Sequence, residues 1–448
     1  LVISDTGVKK MRDIMSKIVY AINSYWEAQQ SIRRQFDDNK IRRIQTRRLQ
    51  YLLQYSVKNI KYYQELFQHN GLNVDKIKTP QDLQHVPFLT KVQLRDRFWD
   101  FLPRSLPACR VSRTSGSLGI PVCIFSDWKS RRMNSAAAVR FRKAIGIPLF
   151  RRPMIILLNT DHDQDRPPHW TYIQGIHKTY YLNPYITSAQ NIAYINQVRA
   201  KLSKPVISGN ASAVRTLAHY TKDGIFPYLS PSVIITGGEV LFPQARDLIE
   251  STFGIGVIDV YACNEARDIA WQCRQYYGYH INSDNVIVEI VKGDEPVGVG
   301  ETGEVVITDL NRYIMPIIRY KNGDMARFTD EICPCGCKLP MIAEITGRTG
   351  DNIHLPNGNV ILWNHLKSQM THPHIRQFQL VQEVDGSFMI RYIPGDGADT
   401  EQLDALLLNR YRNLLGDSIK IKIEKTAIIH PDASGKSKLV VSHFRPDS

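Results

Sequence analysis

At 448 residues, 43% hydrophobic and 22% charged, the chain has the make-up of a folded globular protein and exceeds what one ordinary core supports. That excludes a disordered or collagen-like chain and predicts a large domain plus a smaller one. Its 57 Lys and Arg against 43 Asp and Glu leave a net charge of +14, which suits polyanionic partners without choosing among nucleic acid, membrane surface and nucleotide phosphates.

No apolar stretch is long enough to span a bilayer and Leu1 to Arg12 carries no leader-like run, so a cytoplasmic protein without stable membrane insertion is expected. Seven cysteines in such a chain point to metal binding or burial rather than a disulfide framework.

The first hundred residues read as helices: Met11, Ile14, Met15, Ile18 and Ile22 recur at spacings of three and four, as do Leu49, Leu52, Leu53, Val57 and Ile60. Arg33, Arg34, Lys40, Arg42, Arg43, Arg47 and Arg48 alternate with apolar residues there, as on the solvated face of amphipathic helices. With no finger spacing or aromatic RNA-binding motif, no nucleic-acid partner is expected.

From about Pro153 the texture changes to short apolar runs: Met154 to Leu158, Val233 to Ile235, Val257 to Val260, Val286 to Ile290 and Val305 to Ile307. Separated by helical and loop segments, they predict an α/β domain. Beyond Arg348, the runs Phe378 to Val381, Phe388 to Ile393, Ile419 to Ile423 and Leu439 to Val441 surround an expected helix from Glu401 to Leu415, the pattern of a small α+β domain.

Four stretches carry chemistry. Thr114-Ser115-Gly116-Ser117-Leu118-Gly119-Ile120-Pro121, between strands expected to end near Ser112 and begin near Val122, can bring backbone N–H groups and hydroxyls against phosphate oxygens; an ordinary Ser/Gly turn explains it equally, and it lacks the Lys-Ser/Thr end of a Walker loop. Thr236-Gly237-Gly238-Glu239 follows an apolar run, so backbone is bare at a strand end, where open α/β sheets bind ligands. Tyr261-Ala262-Cys263-Asn264-Glu265 and Arg319-Tyr320-Lys321-Asn322-Gly323-Asp324 add a ring that can stack on a base, a carboxylate that can hold Mg²⁺ and one that can accept ribose hydroxyls. Singly, Glu265 reads as well as a salt-bridge partner and Asp324 as a turn residue.

In this order the pieces resemble the acyl-adenylate-forming superfamily, most closely its phenylacetate-CoA ligase branch, from about Arg42 to the end. The resemblance implies that Thr114, Ser115, Gly116, Ser117 and Gly119 grip the ATP phosphates, with Ile120 standing where a Lys is common. Gly237, Gly238, Glu239, Tyr261, Ala262 and Asn264 would frame the adenine, Asn264 replacing a usual Thr. Glu265 is implied as a catalytic residue and magnesium ligand, and Asp324 as the ribose holder. Gly347-Arg348-Thr349-Gly350-Asp351 matches the family's junction motif, which puts Arg348 on the nucleotide and makes Asp351 the hinge. Ser434-Gly435-Lys436 lies where the family keeps its catalytic lysine, with Lys438 as the rival register.

The implied fold is a large ATP- and acid-binding domain, 1–347, whose first hundred residues are mostly helical, and a mobile domain, 348–448, that rotates between adenylation and transfer. The implied reaction activates a small, aryl or arylacetic acid to acyl-AMP and passes it to CoA. A biosynthetic synthetase serving an amine, a hydroxyl or a carrier thiol, and a degenerate nucleotide-binding protein, are the alternatives. A monomer or homodimer is expected.

Apart from the nucleotide site, Cys273 and His280 form a Cys-x₆-His pair and Cys333-Pro334-Cys335-Gly336-Cys337 a tight cluster, together enough N and S donors for a closed structural Zn²⁺ site. The resemblance favours Cys273, His280, Cys333 and Cys335 as ligands. Cys337 is the substitute, and reduced cysteines in an ordinary turn are the other reading. An acid pocket is expected among 206–210, 234–238 and 261–263, with Trp170, Tyr172, Tyr180 and Tyr181 as flat walls or as core.

Overall fold

The structure is a computed structural model. It describes residues 19, 22–113, 122–148, 154–157, 170–173, 177–348, 353–356, 359–361, 372, 374–395, 397–429 and 439–444.

The helical layer expected at the start is present from Ile22 onward; the repeat of Met11, Ile14, Met15 and Ile18 lies outside the described residues. It comprises α1 (22–34), α2 (Asp38–Asn59), α3 (Lys61–His69) and α4 (Lys91–Asp96). Asp37 starts α2 by accepting from the Lys40 amide, and a Thr90–Gln93 capping box starts α4. Leu49, Leu52 and Leu53 face inward and meet Tyr63, Phe67, Leu310, Met315 and Ile317 in one core. The layer is also pinned by charge: Arg34 Nη2 lies 3.2 Å and the fully buried Arg140 Nη2 2.9 Å from the Asp284 carboxylate, and Ser31 donates to it at 3.0 Å. Burial alone would raise the Asp284 pKa, but Arg140, Arg48 and Arg34 hold it well below the carboxylate range.

Strands β1 (Cys109–Arg113) and β2 (Cys123–Asp127) form an antiparallel hairpin, and α5 (Trp128–Ala144) follows directly, capped by Asp127 accepting from Ser130 N at 2.7 Å. The main body is one mixed sheet of β3 (Met154–Leu157), β4 (Trp170–Ile173), β5 (His177–Leu182), β6 (Val206–Gly209), β7 (Val233–Gly237), β8 (Val257–Cys263), β9 (Arg267–Gln272), β10 (Tyr279–Ile281), β11 (Val286–Lys292), β12 (Glu295–Pro296), β13 (Thr302–Asp309), β14 (Tyr320–Thr329) and β15 (Met341–Arg348). Their order is β12-β11-β13-β14-β15-β10-β9-β8-β7-β6-β3-β5-β4. Strands β5, β3, β6, β7 and β8 run parallel, joined through α6 (Ala189–Lys201), α7 (Ala211–Lys222) and α8 (Pro243–Phe253).

These parallel strands are the unbroken apolar runs of the sequence because both faces are covered. Ile207, Ile234 and Val257 pack under Leu217, Ile249 and Phe253, while Val206, Val233, Ile235 and Ile258 face Ile145 and Phe141. The rest of the sheet is antiparallel.

Beyond it, β16 (Ile353–His354) pairs with β17 (Val360–Ile361), and β18 (Ile375–Gln382), β19 (Phe388–Pro394), β20 (Ile421–Lys425) and β21 (Val440–Ser442) make a four-stranded sheet of order β20-β19-β18-β21. On it packs α9 (Thr400–Leu415), burying Leu403, Leu407 and Tyr411 against Phe378, Leu380, Ile390 and Tyr392. The fold is thus the expected one: a large α/β body with a helical N-terminal layer and a separate small α+β domain. Among the described residues no helix is long and apolar enough to cross a membrane.

Candidate active site

The parallel strands β7 and β8 are neighbours, Gly237 opposite Val260, and both end on the same edge of the sheet, where an open α/β sheet offers a crevice. Gly238 there has φ of +77°, and a Cβ on it would stand 3.0 Å from Asn210 Oδ1, so a side chain would be strained and crowded at this position. Glu239 turns toward the start of α7, where its Oε2 accepts from Ser212 N at 2.8 Å, a favourable place for a carboxylate. Behind the edge, Thr236 and Tyr279 donate to the two oxygens of Asp259 at 2.6 and 2.7 Å. Burial pushes that carboxyl up to about 6. Asp259 escaped the sequence reading because it sits inside the apolar run of β8.

Across from β8, a carboxylate is gripped on all sides. Asp324 Oδ2 accepts from Tyr261 OH at 2.8 Å and from Asn322 Nδ2 at 2.7 Å, and Oδ1 accepts from Arg348 Nε at 2.8 Å. Asn322 also donates to the Tyr261 hydroxyl oxygen at 2.7 Å, accepts from Asp324 N on Oδ1 at 3.0 Å and, through its carbonyl, from Arg348 Nη2 at 3.2 Å. Three of the residues singled out in the sequence therefore meet: Tyr261 from β8, Asp324 from β14 and Arg348 from β15, the last two paired across the sheet. Asn322, which joins them, was not singled out; in the sequence it reads as one more turn residue before a glycine.

Tyr261 is 7% exposed, and burial, with Asp324 beside it, raises its phenol well above the ordinary value, so it stays a neutral donor.

Glu265 occupies the turn between β8 and β9, with Ala262 and Asn264 just before it. Its Oε1 accepts from the buried Tyr320 hydroxyl at 2.9 Å, and among the described residues it makes no salt bridge. A carboxylate that accepts from a single phenol still has oxygen lone pairs to offer, and that donor chemistry fits a hard divalent cation. The phosphate-loop residues Thr114, Ser115, Gly116, Ser117 and Gly119, the hinge Asp351, and Lys436 with its rival Lys438 lie outside the described residues. The first group falls within the β1–β2 hairpin, Asp351 between β15 and β16, and the lysines between β20 and β21. Tyr180 packs in the core beside Leu157 and Ile195.

A second constellation lies on the far side of β9. Cys273, His280, Cys333 and Cys335 place one donor atom each within 4.8 Å of one another. Cys273 and Cys333 sulfurs are 3.5 Å apart, and His280 Nε2 is 3.4 Å from Cys335 Sγ. Cys337, also buried, stays outside this group. His280 is fully buried with no hydrogen-bond partner on Nδ1 among the described residues, lies tilted against Trp271 with ring centroids 5.0 Å apart, and is pushed by burial down to about 4, so its ring is neutral. Burial also raises the thiols of Cys273, Cys333 and Cys335; a cation among them is what would favour the thiolates. One nitrogen and three sulfurs suit a closed tetrahedral zinc site.

Residues 353–443 match the family model described as the CapK C-terminal domain. The chain is 27% identical to the phenylacetate-coenzyme A ligase of Thermus thermophilus over 72% of this chain and 73% of that one. It is 24% identical to the ligase of the same name from Aromatoleum evansii, over 90% and 94%, and 19% identical to Protein CapK of Staphylococcus aureus, over 93% and 92%. Among solved structures, 2-hydroxyisobutyryl-CoA ligase in the postadenylation state with 2-HIB-AMP superposes with a TM-score of 0.70 at 20% identity, covering 90% of this chain and 89% of that one. Sequence relatives and fold together match the phenylacetate-CoA ligase-like branch of the acyl-adenylate-forming superfamily, CapK included.

Proposed function

We propose that the protein is an AMP-forming ligase that activates a small, aromatic carboxylic acid as its acyl-AMP and transfers the acyl group to CoA. The observation that carries the reading is the Tyr261–Asn322–Asp324–Arg348 cluster beside the bare Gly237–Gly238 strand end. An oriented carboxylate with an adjacent guanidinium can take ribose hydroxyls and a phosphate from one nucleotide. Support for the ligase class comes from the phenylacetate-CoA ligase relatives.

In this reading the acid's carboxylate oxygen attacks the α-phosphorus of ATP, the bond from that phosphorus to the bridging oxygen breaks, and pyrophosphate leaves. Thr114 to Gly119 hold the departing phosphates. Lys436 neutralises charge that builds between two anions in the transition state. Glu265, held by Tyr320, is the ligand for Mg²⁺, which when bound supplies charge neutralisation at the phosphates. Residues 348–448 form the moving part, with Asp351 as its hinge, and the Cys273–His280–Cys333–Cys335 site holds structural Zn²⁺.

A second reading, with an acceptor other than CoA, is favoured by one observation: the small domain, which would help present the acceptor, matches the CapK model. Exchange of labelled pyrophosphate into ATP across aryl, arylacetic and aliphatic acids without CoA tests adenylation. Exchange with an aromatic acid is expected, and exchange only with aliphatic acids, or none, overturns the substrate class or the activity. Release of AMP on adding CoA then separates the two acceptors.

Asn322→Ala removes the group that orients both Asp324 and Tyr261. Its KM for ATP is expected to rise roughly tenfold, as for about 1.4 kcal/mol of lost binding, with kcat changed far less. An unaltered KM in a folded variant contradicts the positioning role.

A further inference from the structure

The outward face of the N-terminal helical layer is not what a surface helix ordinarily shows. Ala28, Ser31, Ile32 and Gln35 are buried against the body, and the opposite side of the same helical period carries Val19, Ile22 and Trp26 at 49%, 62% and 62% exposure, with Tyr25 at 47% on its flank. At 100° per residue, Val19, Ile22, Trp26 and the exposed Arg33 fall within an arc of roughly 60°. Large apolar side chains scattered singly on a surface need no explanation; an ordered stripe ending in a cation does.

In the sequence the stripe continues at the same period through Met11, Met15 and Ile18, interleaved with Lys9, Lys10, Arg12 and Lys17. The next helix, α2, turns Arg43 and Arg47 outward.

The charge is concentrated here too. Residues 1–48 hold eleven Lys and Arg against five Asp and Glu, an excess of six out of the chain's fourteen. An apolar stripe bordered by cations, with a Trp and a Tyr at its edge, is the composition of a helix that lies in a lipid interface. Two copies of this chain pairing through the same stripe would bring like charges together across a two-fold axis, which opposes self-association.

We infer that the α1 face, centred on Ile22 and Trp26, docks the protein reversibly on an anionic lipid surface. The apolar residues enter the headgroup boundary and Arg33, Arg43 and Arg47 meet the lipid phosphates. The docking is peripheral, since no described helix can span a bilayer, and it is independent of the catalytic reading because none of these residues belongs to the site above.

Co-sedimentation of the full chain with phosphatidylcholine vesicles, and with vesicles enriched in phosphatidylglycerol, tests this. Binding is expected to the anionic vesicles only, and is expected to weaken as salt is raised. Ile22→Ser with Trp26→Ser, and separately Arg33→Glu with Arg43→Glu, should each lower the partition coefficient at least about tenfold. Circular dichroism should be unchanged, since these side chains are exposed. Trp26→Phe should remove a vesicle-induced blue shift of tryptophan emission. Equal binding to neutral vesicles, no binding, or indifference to both double variants overturns the proposal. So does a sedimentation result in which the parent is dimeric and the Ile22/Trp26 variant monomeric, which would assign the face to a second copy.

Discussion

Lys436→Ala is expected to lose acid-dependent exchange of pyrophosphate into ATP by a factor of about 10²–10³ or more, the scale set by removing one preorganised charge from a transition state. The loss should appear in kcat, with ATP binding by equilibrium dialysis and the thermal midpoint almost unchanged, because the ammonium is needed where charge develops and not to hold the ground state. Lys438→Ala is the matched control and should retain most of the activity. If Lys438→Ala is dead and Lys436→Ala active, the register is wrong. If both are active, the lysine has no part in adenylation. A degenerate binding protein would show no exchange in the parent either, so the parent's own activity separates that case from a misassigned lysine.

The second large effect concerns stability. Elemental analysis of the purified protein should find about one zinc per chain. Cys333→Ser should release it and lower the thermal midpoint on the order of 5–10 °C, as expected when a closed site that joins distant segments loses a ligand. Cys337→Ser should keep the metal, because that thiol lies outside the group of four donors. The two cysteine variants therefore answer different questions: loss of metal in both would enlarge the ligand set, and absence of metal from the parent would remove the site. Nothing in this pair depends on the enzyme assay, since metal content and the thermal midpoint are both read without substrate.

The division between legible and illegible features follows chain distance. Helix α2 was readable because Leu49, Leu52 and Leu53 repeat at helical spacing and one face must be buried. The parallel strands were readable because burial on both faces forces unbroken runs such as Val233 to Ile235. Glycines announced the bare strand end, since Gly238 adopts a backbone geometry that other residues avoid. Asn322 and Tyr320 could not be read this way. Their partners lie more than fifty residues away, at Tyr261 and Glu265, and nothing in local spacing distinguishes an oriented amide from a turn residue. Asp259 was hidden for the opposite reason, a charged group inside an apolar strand that only its Thr236 and Tyr279 donors account for. The three-arginine grip on Asp284 likewise appears only when α1, α2 and α5 meet the sheet.

By itself, then, the sequence determined the class of fold, the separate small C-terminal domain and the place of the glycine-bearing strand end, because periodicity and glycine geometry are local properties of a chain. The tertiary structure alone decided which side chains meet: that Asp324 is clamped by Tyr261, Asn322 and Arg348, that Cys337 stands apart from the group formed by Cys273, His280, Cys333 and Cys335, and that the apolar stripe of α1 faces away from the core. Those outcomes depend on how strands and helices far apart in sequence are brought together, and packing over such separations leaves no periodic trace in the chain.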